Sequence, residues 1–342
     1  MSKINASLNR AKMTKDDEFY TSIEDVQAEM GYYTEHFFGK TIFLNCDDPK
    51  ESAFWEYFSL NFDFIGLKGL ISTHYVNDLE SEGPAYMLRY DAQAGTNEEK
   101  ITKKYLKEDG DFRSDESIEL LKEADIVITN PPFSLWNEYI GQLIEYKKDF
   151  IILGDANKAN SVDIFPLIRD NKMWFGVTRD GNGSMWFRVP LSKLSLDKEL
   201  GSGQKIVEGQ LLQTIGSTAW FTNLPHKKRQ QEMVMTRFYE GNEDNYPIYD
   251  NYKAIEVKPV ATMPMDYKGV MGVPVGFLSK FNPDQFEIIG MDIDVHKGKL
   301  DDLKKSTWGG RFDRGYIDGK RKYGRLLVRN KKPISRKDKL GF

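Results

Sequence analysis

Apolar and polar residues alternate along the first half of the chain in blocks that predict strands and helices in turn. Short apolar runs rich in β-branched or aromatic residues predict five strands, Thr41–Cys46, Leu70–Val76, Ala124–Thr129, Phe150–Gly154 and Met173–Val177. Apolar residues at helical spacing predict helices around Glu51–Leu60, Ser117–Lys122 and Leu135–Tyr146. This order predicts an α/β fold with a largely parallel sheet that is covered on both faces.

The pattern changes after about Leu224, where basic clusters, prolines, glycines and aromatic residues replace the periodic segments. We predict loops and short strands here, packed onto the sheet or beside it. The net charge of −4 hides an asymmetry, because Lys297–Phe342 holds sixteen Lys or Arg against five Asp and the rest of the chain carries −15. A basic end on an acidic body is expected of a protein that meets a polyanion with one face. A solvated basic tail is the alternative.

Composition excludes several classes of protein. The 342 residues contain no apolar run close to the roughly 18 residues that cross a bilayer, and no apolar stretch follows the basic N-terminus. A single cysteine, Cys46, excludes an internal disulfide, and the four scattered histidines have no zinc-ligand spacing. We therefore expect a cytoplasmic protein with no membrane contact and no bound metal.

One tetrapeptide, Asn130-Pro131-Pro132-Phe133, stands where the third predicted strand ends. The two prolines keep Asn130 and Pro131 out of the helical region, so their carbonyls stay available for other hydrogen bonds. The Asn130 side-chain oxygen and the Pro131 carbonyl could together bind a planar NH₂ group, while Phe133 offers a ring for stacking. This pattern predicts a pocket for a nucleobase amine. The alternative is a Pro-Pro turn with Phe133 in the core.

Several further segments share a resemblance with this tetrapeptide. They are Glu18–Thr21, Asn45–Pro49, Phe54–Phe58, Gly110–Ser114, Thr129–Trp136, Ile164–Ile168, Trp220–Leu224, Gly272–Gly290 and Arg325–Pro333. In combination they resemble the EcoRI-type adenine-specific DNA methyltransferase family. The resemblance covers most of the chain, although the tetrapeptide alone also occurs in enzymes that act on RNA or on glutamine amides.

The resemblance implies a fold, a division of the chain and a reaction. It implies a Rossmann-like sheet typical of S-adenosylmethionine-dependent methyltransferases in a catalytic domain at 1–225, and a smaller basic target-recognition region at 226–342. The implied reaction moves a methyl group from S-adenosylmethionine to the 6-amino group of an adenine flipped out of double-stranded DNA, at a specific sequence. Asn130, Pro131, Pro132 and Phe133 are the implied catalytic residues. The alternatives are transfer to RNA adenine or protein glutamine, and an inactive DNA-binding relative.

The resemblance also places cofactor-binding residues. They are Phe19, Tyr20, Thr21, Asn45, Asp47, Asp48, Pro49, Asp111, Phe112 and Asn130. Each group has a structural alternative: Thr21 could cap a helix, Asp47 and Asp48 could cap the helix near Glu51, and Gly110–Ser114 could form an exposed turn. The first strand also lacks the glycine-rich turn that many methyltransferases carry.

Basic residues of the second half are candidates for contacts with DNA phosphates. They are Lys227, Lys228, Arg229, Arg311, Arg314, Lys320, Arg321 and Lys322. The alternative for any one of them is a solvated surface charge. The expected partner is double-stranded DNA. The enzyme is expected to be either half of a restriction-modification pair, with a cognate endonuclease that shares the site without forming a stable complex, or a solitary enzyme of a phage or bacterium.

Overall fold

The computed structural model describes residues 20–76, 83–94, 100–180, 185–189, 200–201, 203–214 and 217–341. Two units account for them. The first is drawn from Met1–Ile164 and Met173–His226, and the second from Phe165–Lys172 and Lys227–Phe342. The second unit therefore takes one short segment from the first half of the chain, which a single division of the sequence at residue 225 does not foresee.

The helices are α1 (Ile23–Met30), α2 (Thr34–Phe37), α3 (Ala53–Leu60), α4 (Phe62–Ile65), α5 (Asp115–Glu123), α6 (Trp136–Glu145), α7 (Phe165–Arg169), α8 (Lys227–Gln230), α9 (Asp292–His296) and α10 (Arg336–Leu340). The strands are β1 (Thr41–Leu44), β2 (Gly69–His74), β3 (Tyr86–Asp91), β4 (Ile101–Tyr105), β5 (Ile126–Thr129), β6 (Asp149–Asp155), β7 (Trp174–Asp180), β8 (Trp186–Arg188), β9 (Gln204–Val207), β10 (Gln210–Thr214), β11 (Thr218–Thr222), β12 (Ala254–Glu256), β13 (Val270–Val273), β14 (Phe286–Met291), β15 (Tyr316–Ile317), β16 (Lys320–Arg321) and β17 (Leu326–Asn330). Every strand and helix predicted from the pattern is present, with ends that differ by a few residues.

Eight strands of the first unit form one mixed sheet in the order β4-β3-β2-β1-β5-β6-β11-β7. The central strands β2, β1, β5 and β6 pair in parallel. On one side β3 and β4 continue the sheet with antiparallel pairs, and on the other β11 lies antiparallel between β6 and β7. The prediction of a largely parallel sheet is therefore wrong at both flanks, where neighbouring strands pair antiparallel. Six of the eight strands still run in one direction, and β3 and β11 run in the other.

The parallel centre of this sheet brings the ends of distant segments together. All residues of β1 and β5 are buried, as continuous apolar strands covered on both faces should be. Because β1, β2, β5 and β6 run in the same direction, the loops that follow them leave the sheet at one edge. We call this the carboxyl edge, and it is where ligands bind in sheets of this kind.

A buried glutamate fixes α1 against β7. The Glu29 carboxylate is fully buried and accepts hydrogen bonds from the Tyr33 hydroxyl (2.8 Å) and from the backbone N–H groups of Val177 (2.8 Å) and Thr178 (2.7 Å). The Thr178 hydroxyl donates another at 2.5 Å. Gly176 allows this approach, because any side chain there would collide with the carboxylate. Four donors thus satisfy a charge that would otherwise be costly to bury.

Serine hydroxyls begin the helices that precede and follow β1. Ser22 is the N-cap of α1 and Ser52 is the N-cap of α3, and both accept backbone N–H groups of the first helical turn. The alternatives in which Thr21 caps α1, and Asp47 or Asp48 caps α3, are therefore wrong. The side chains of those three residues are therefore not the caps of α1 and α3.

A small antiparallel sheet, in the order β8-β10-β9, is inserted between β7 and β11. Glu208 and Gly209 form the turn between β9 and β10 with φ values of 50° and 78°, the backbone conformation of a tight hairpin. Because β7 runs in the same direction as β6, the insertion leaves the large sheet at the carboxyl edge.

The second unit has a four-stranded sheet of its own, in the order β12-β13-β17-β14. Its buried cluster contains Tyr249, Tyr252, Ala254, Val270, Val295, Leu303, Ile317 and Leu327. The prediction of loops and short strands packed onto the first sheet or beside it is therefore incomplete, because these strands bury a separate core. Hydrophobic patterning missed this sheet because its strands are short and separated by long irregular segments.

An ion pair lies inside the second unit. The Arg325 guanidinium meets the Glu256 carboxylate with Nη2 and Oε1 2.5 Å apart, and the Tyr249 hydroxyl donates to the same carboxylate. Asp292, which is 1% exposed, accepts the backbone N–H of Arg325 at 3.1 Å and lies 3.7 Å from Nη1 of Arg314. Burial raises the pKa of Asp292 to about 6, and the nearby arginine charges oppose that shift.

Candidate active site

The loop that follows β1 is fixed to the end of β2. The Thr73 hydroxyl donates to the Asn45 carbonyl at 2.9 Å, and the Ser72 hydroxyl donates to the Asp47 carbonyl at 2.7 Å. Both hydroxyl-bearing residues are almost completely buried. The backbone from Asn45 to Asp47 is therefore held from the β2 side, which fixes the directions in which its side chains point.

Asp47 reaches across the carboxyl edge to the end of β5. Its Oδ2 atom accepts a hydrogen bond from the Thr129 hydroxyl and another from the backbone N–H of Asn130 at 3.3 Å. Burial raises the pKa of the Asp47 carboxyl to about 7, although these hydrogen bonds favour the ionised form. A carboxyl that titrates near neutral pH at a strand end is typical of a functional site.

Asp48 contacts a different set of groups. Its carboxylate lies 2.9 Å from Nδ1 of His74, accepts the backbone N–H of Lys50 at 3.0 Å, and accepts the Tyr86 hydroxyl at 3.4 Å. Burial and the Asp48 charge together raise the pKa of Tyr86 to about 12, and the Lys103 ammonium lies 3.8 Å from the centre of that ring. Pro49 follows directly and is buried, and the two neighbouring aspartates contact different elements, the end of β5 for Asp47 and the end of β2 for Asp48.

Buried polar groups line the space between this loop and α6. Asn45 is 2% exposed, and among the described residues neither of its amide atoms has a hydrogen-bond partner of normal geometry. The Tyr139 hydroxyl of α6 lies beside Asn45 and Cys46, and the Tyr139 ring meets the edge of Phe112 with centroids 5.0 Å apart. Burial raises the pKa of Cys46 and of Tyr139 well above their ordinary values. Unsatisfied buried polar atoms in a native site call for a ligand or an ordered water.

The tetrapeptide Asn130–Phe133 forms an irregular loop, as predicted from its prolines. Asn130 is half-buried with its Oδ1 atom inside the protein, and no described residue donates a hydrogen bond to the Pro131 carbonyl. The backbone N–H of Leu135 donates to the Pro132 carbonyl at 3.0 Å and closes a turn before α6. Phe133 is half-buried, so the alternative that places it in the core is wrong.

Trp136 sets the direction in which α6 leaves this loop. Its indole N–H donates to the Leu153 carbonyl of β6 at 2.7 Å, and its ring fills the space above Gly154, where any Cβ atom would collide with it. The helix begins at Trp136, one residue after the predicted start at Leu135, because the turn takes up the residues after the prolines.

Asp111 and Phe112 precede α5 in a tight turn. Gly110 has a φ of 79°, and a Cβ atom there would lie 2.7 Å from the His74 carbonyl oxygen. Both Asp111 carboxylate oxygens accept hydrogen bonds from Arg113, at 2.7 Å from Nε and 2.6 Å from Nη2. Phe112 is 4% exposed, so the alternative of a wholly exposed turn is wrong. Arg113, which the sequence analysis did not single out, forms an ion pair with Asp111, a predicted cofactor-binding residue.

The N-terminal candidates fall partly outside the described residues, because Phe19 lies before them. Tyr20 pairs with Arg188 of β8 through two backbone hydrogen bonds of 2.9 and 3.0 Å, and its ring lies 5.6 Å from that guanidinium. Arg188 in turn contacts the carbonyl and carboxylate of Glu51, just beyond the β1 loop. A cavity of about 380 Å³ lies between Tyr20, Arg188, Glu51 and β10. Thr21, the residue after Tyr20, is buried, with its hydroxyl inside the protein.

The chain matches a known family over residues 7–331, described as adenine-specific methyltransferase EcoRI. The chain belongs to this EcoRI adenine-specific methyltransferase family. It is an enzyme that methylates adenine in DNA, which confirms the function implied by the sequence resemblance. No solved structure matches the chain.

Three curated methyltransferases are similar to the chain over almost its whole length. The Type II methyltransferase M.EcoRI of Escherichia coli is 41% identical over 96% of this chain and 97% of its own length. M.MgeORF184P of Mycoplasma genitalium is 39% identical over 94% and 98%, and M.MpnI of Mycoplasma pneumoniae is 37% identical over 95% and 98%. Each match therefore covers nearly the whole of this chain and of the relative.

The predicted DNA-binding residues of this methyltransferase occupy different surroundings. Lys227, Arg311, Lys320 and Arg321 are exposed, whereas Lys228, Arg229, Arg314 and Lys322 are half-buried. Arg229 donates to the Asn171 side chain at 2.6 Å, and burial lowers its pKa to about 10. Arg321 pairs with Asp313 at 2.9 Å. The exposed residues are the better placed for a polyanion.

Two further properties concern the described residues only. None of their helices combines the length and the apolarity of a membrane span. They also contain no group of three or more His, Cys, Asp or Glu side chains arranged to hold a metal ion. The groups that the carboxyl edge offers are instead amide, hydroxyl, carboxylate and aromatic, which suit an organic cofactor and a nucleobase.

Proposed function

We propose that this methyltransferase transfers a methyl group from S-adenosylmethionine to the 6-amino group of an adenine flipped out of double-stranded DNA. The observation that carries the proposal is the meeting of two loops at the carboxyl edge of the large mixed sheet. The Asn130–Phe133 loop after β5 supplies acceptors for an amine, and the loop after β1 presents the Asn45 amide, which has no hydrogen-bond partner of normal geometry among the described residues. Such an edge is where this class of sheet binds its ligands.

The residues around the β1 loop fit the cofactor. Asn45 offers buried amide atoms that need partners. Asp48, on the same loop, offers a carboxylate that lies beside His74 at the end of β2. Asp47, Pro49, Asp111, Phe112 and Asn130 surround the same edge, and Tyr20 is connected to it through Arg188 and Glu51. Thr21 and Phe19, the latter outside the described residues, complete the set proposed from the sequence. The bound cofactor supplies a sulfonium methyl group that is already activated for transfer, so the protein has to place the two reactants.

The amine of adenine is a weak nucleophile, because its lone pair is delocalised into the ring. Asn130 Oδ1 and the Pro131 carbonyl accept its two hydrogens, which draws the nitrogen towards tetrahedral geometry and directs its lone pair at the methyl carbon. Pro132 stiffens the loop, and Phe133, half-buried at its tip, stacks on the purine. Orientation supplies most of the rate enhancement.

An adenine stacked inside a duplex does not reach such a pocket, so the base is flipped out at a cost of a few kcal/mol. Region 226–342 binds the flanking DNA. Its exposed basic residues contact phosphates. The half-buried residues of the predicted DNA-binding set are Lys228, Arg229, Arg314 and Lys322. In this proposal the enzyme acts in the cytoplasm, either beside a cognate endonuclease that reads the same site or as a solitary methyltransferase; the likeness to Type II methyltransferases supports the first.

Mapping of modified adenines in DNA from cells that express the chain tests the proposal. Asn130→Ala is expected to abolish the modification and to lower methyl transfer in vitro by about 10²- to 10³-fold, because one of two oriented acceptors is lost. Binding of S-adenosylmethionine and DNA should stay within about threefold of wild type. Asn61→Ala is the matched control, since this half-buried asparagine ends α3 at the opposite edge of the sheet. Near-normal transfer by Asn130→Ala would contradict the mechanism.

A further inference from the structure

The Asp47 carboxylate, expected from the sequence to bind the cofactor, is directed at the loop that carries Asn130. We propose that Asp47 is a positioning residue that acts through Thr129 and the Asn130 backbone to hold the Asn130–Phe133 loop in its reactive orientation. This inference rests on the proposed function, because it assigns Asp47 to the adenine side of the reaction.

A directed set of hydrogen bonds joins the two loops. The backbone N–H of Cys46 donates to the Thr129 hydroxyl at 3.1 Å, and that hydroxyl donates its own hydrogen to Oδ2 of Asp47. The same Oδ2 atom accepts the backbone N–H of Asn130. One hydroxyl and one carboxylate oxygen therefore connect the end of β1 to the end of β5. Residues 47 and 129 are 82 positions apart, so this connection exists only in the folded chain.

The Asn130 N–H is a point at which Asp47 holds the loop. Pro131 and Pro132 have no backbone N–H, so the next amide donor along the chain is that of Phe133. The Asn130 carbonyl and side chain extend from the residue whose N–H Asp47 binds. A shift of this residue by 1 Å would misplace the amine acceptors, which is enough to slow an oriented reaction about 10²-fold.

The backbone at Asp47 is held by hydrogen bonds from β2. Its carbonyl accepts the buried Ser72 hydroxyl, and the Asn45 carbonyl accepts the buried Thr73 hydroxyl. The Ser52 hydroxyl also lies near the Asp47 carboxylate and favours its ionised form. The carboxylate therefore transmits the fixed position of β2 to the Asn130–Phe133 loop.

The charge state of Asp47 gives the proposal a signature in pH. The titratable groups that face this part of the site are Cys46 and Asp48 on the same loop, His74 at the end of β2, Asp111 before α5 and Tyr139 on α6. No Lys or Arg side chain within the described ranges forms an ion pair with Asp47. Protonation below a pKa of about 7 weakens an acceptor that holds two donors, and the rate should fall with it.

Four variants test the proposal in single-turnover methyl transfer with saturating S-adenosylmethionine and duplex DNA. Asp47→Ala should lower the rate about 10²-fold while the Kd for S-adenosylmethionine stays within about threefold. Thr129→Val removes the bridging hydroxyl at nearly constant volume and should lower the rate in the same way. Combining Thr129→Val with Asp47→Ala should cost little more than Asp47→Ala alone, because both act through one set of bonds.

Asp47→Asn is the conservative variant. Its side-chain oxygen can accept both donors, because a single oxygen of Asp47 accepts them in the wild type. We expect its rate to lie above that of Asp47→Ala and to match the wild-type rate at low pH, where protonated Asp47 is equally neutral. It should show no fall in rate between about pH 8 and pH 6, where the wild type slows. This pH profile separates a positioning role from a merely structural one.

Asp48→Ala provides the contrast, because Asp48 contacts His74 and Tyr86 and should affect cofactor affinity instead. An unchanged saturated rate for Asp47→Ala, with a Kd for S-adenosylmethionine raised tenfold or more, would make Asp47 a cofactor ligand and overturn the proposal. Additive losses in the double variant would also overturn it. If Asp47→Ala fails to fold, Thr129→Val and Asp47→Asn still decide. Absence of adenine methylation by the wild type would instead contradict the proposed function.

Discussion

Each unit withdraws a carboxylate from solvent, with Glu256 buried and Asp47 half-buried, and the two are satisfied in opposite ways. In the second unit Glu256 meets the guanidinium of Arg325 and also accepts the Tyr249 hydroxyl. In the first unit Asp47 accepts a hydroxyl and a backbone N–H, and among the described residues no cationic side chain is paired with it. The first carboxylate has a counter-ion and the second has only neutral donors.

This difference separates a structural carboxylate, Glu256, from Asp47, to which we assign a functional role by proposal. The carboxylate of Glu256 and the guanidinium of Arg325 form an ion pair that joins β12 to the start of β17. A buried carboxylate held by neutral donors has a raised pKa, and its ionised form lowers the stability of the fold. Proteins retain such groups where they serve chemistry or orientation.

Breaking the ion pair should have the largest effect on stability. Glu256→Gln is expected to lower the free energy of unfolding by about 3–5 kcal/mol, because it leaves the Arg325 guanidinium buried without its counter-ion. Urea denaturation near neutral pH measures the loss. The control replaces both partners, Glu256→Gln with Arg325→Met, and should recover much of it. An unchanged urea midpoint for Glu256→Gln would show that the pair is not structural.

Removing the charge of Asp47 should act in the opposite direction. The folded pKa of about 7 lies above the ordinary 3.8, so the stability contributed by protonated Asp47 is present below about pH 4 and is lost as the pH rises towards 7. Asp47→Asn should therefore be more stable than the wild type, and this gain in the free energy of unfolding should be larger at pH 8 than at pH 5 by about 2 kcal/mol. Urea denaturation at the two pH values checks this. A difference that does not change with pH would place the carboxyl in an ordinary environment.

The contrast between Asp47 and Glu256 also shows what the sequence could predict. The apolar runs predicted the five strands, and two prolines after β5 predicted an irregular loop. Asp47 was correctly placed at the end of β1, but its partner Thr129 was not foreseen, because the two residues are 82 positions apart and their contact depends on strand order. Thr129 also ends an apolar strand, where a threonine is as compatible with β structure as with function.

Other parts gave weaker signals. Strands β3 and β4, YMLRYD and ITKKY, are too polar to resemble buried strands, and all five residues of β4 are exposed. The position of β11 between β6 and β7 follows from topology rather than from pattern. Tyr139 lies on the apolar face of α6, where its spacing matches an ordinary core residue. Its closeness to Asn45 and Cys46 became visible only in three dimensions.

The smallest effects concern two predicted DNA-binding residues that differ in their surroundings. Lys320 is exposed in the hairpin of β15 and β16, whereas Arg229 bonds to Asn171 and lies 5.7 Å from the Phe281 ring. Lys320→Ala should weaken DNA binding by about 1 kcal/mol or less and reduce the salt dependence of log Kd by about one unit of slope. Arg229→Ala should leave that slope unchanged and lower the urea midpoint, because its guanidinium packs within the second unit. Titration of duplex DNA at several salt concentrations distinguishes the two, and an equal loss of slope in both variants would mean that Arg229 also reaches the phosphates.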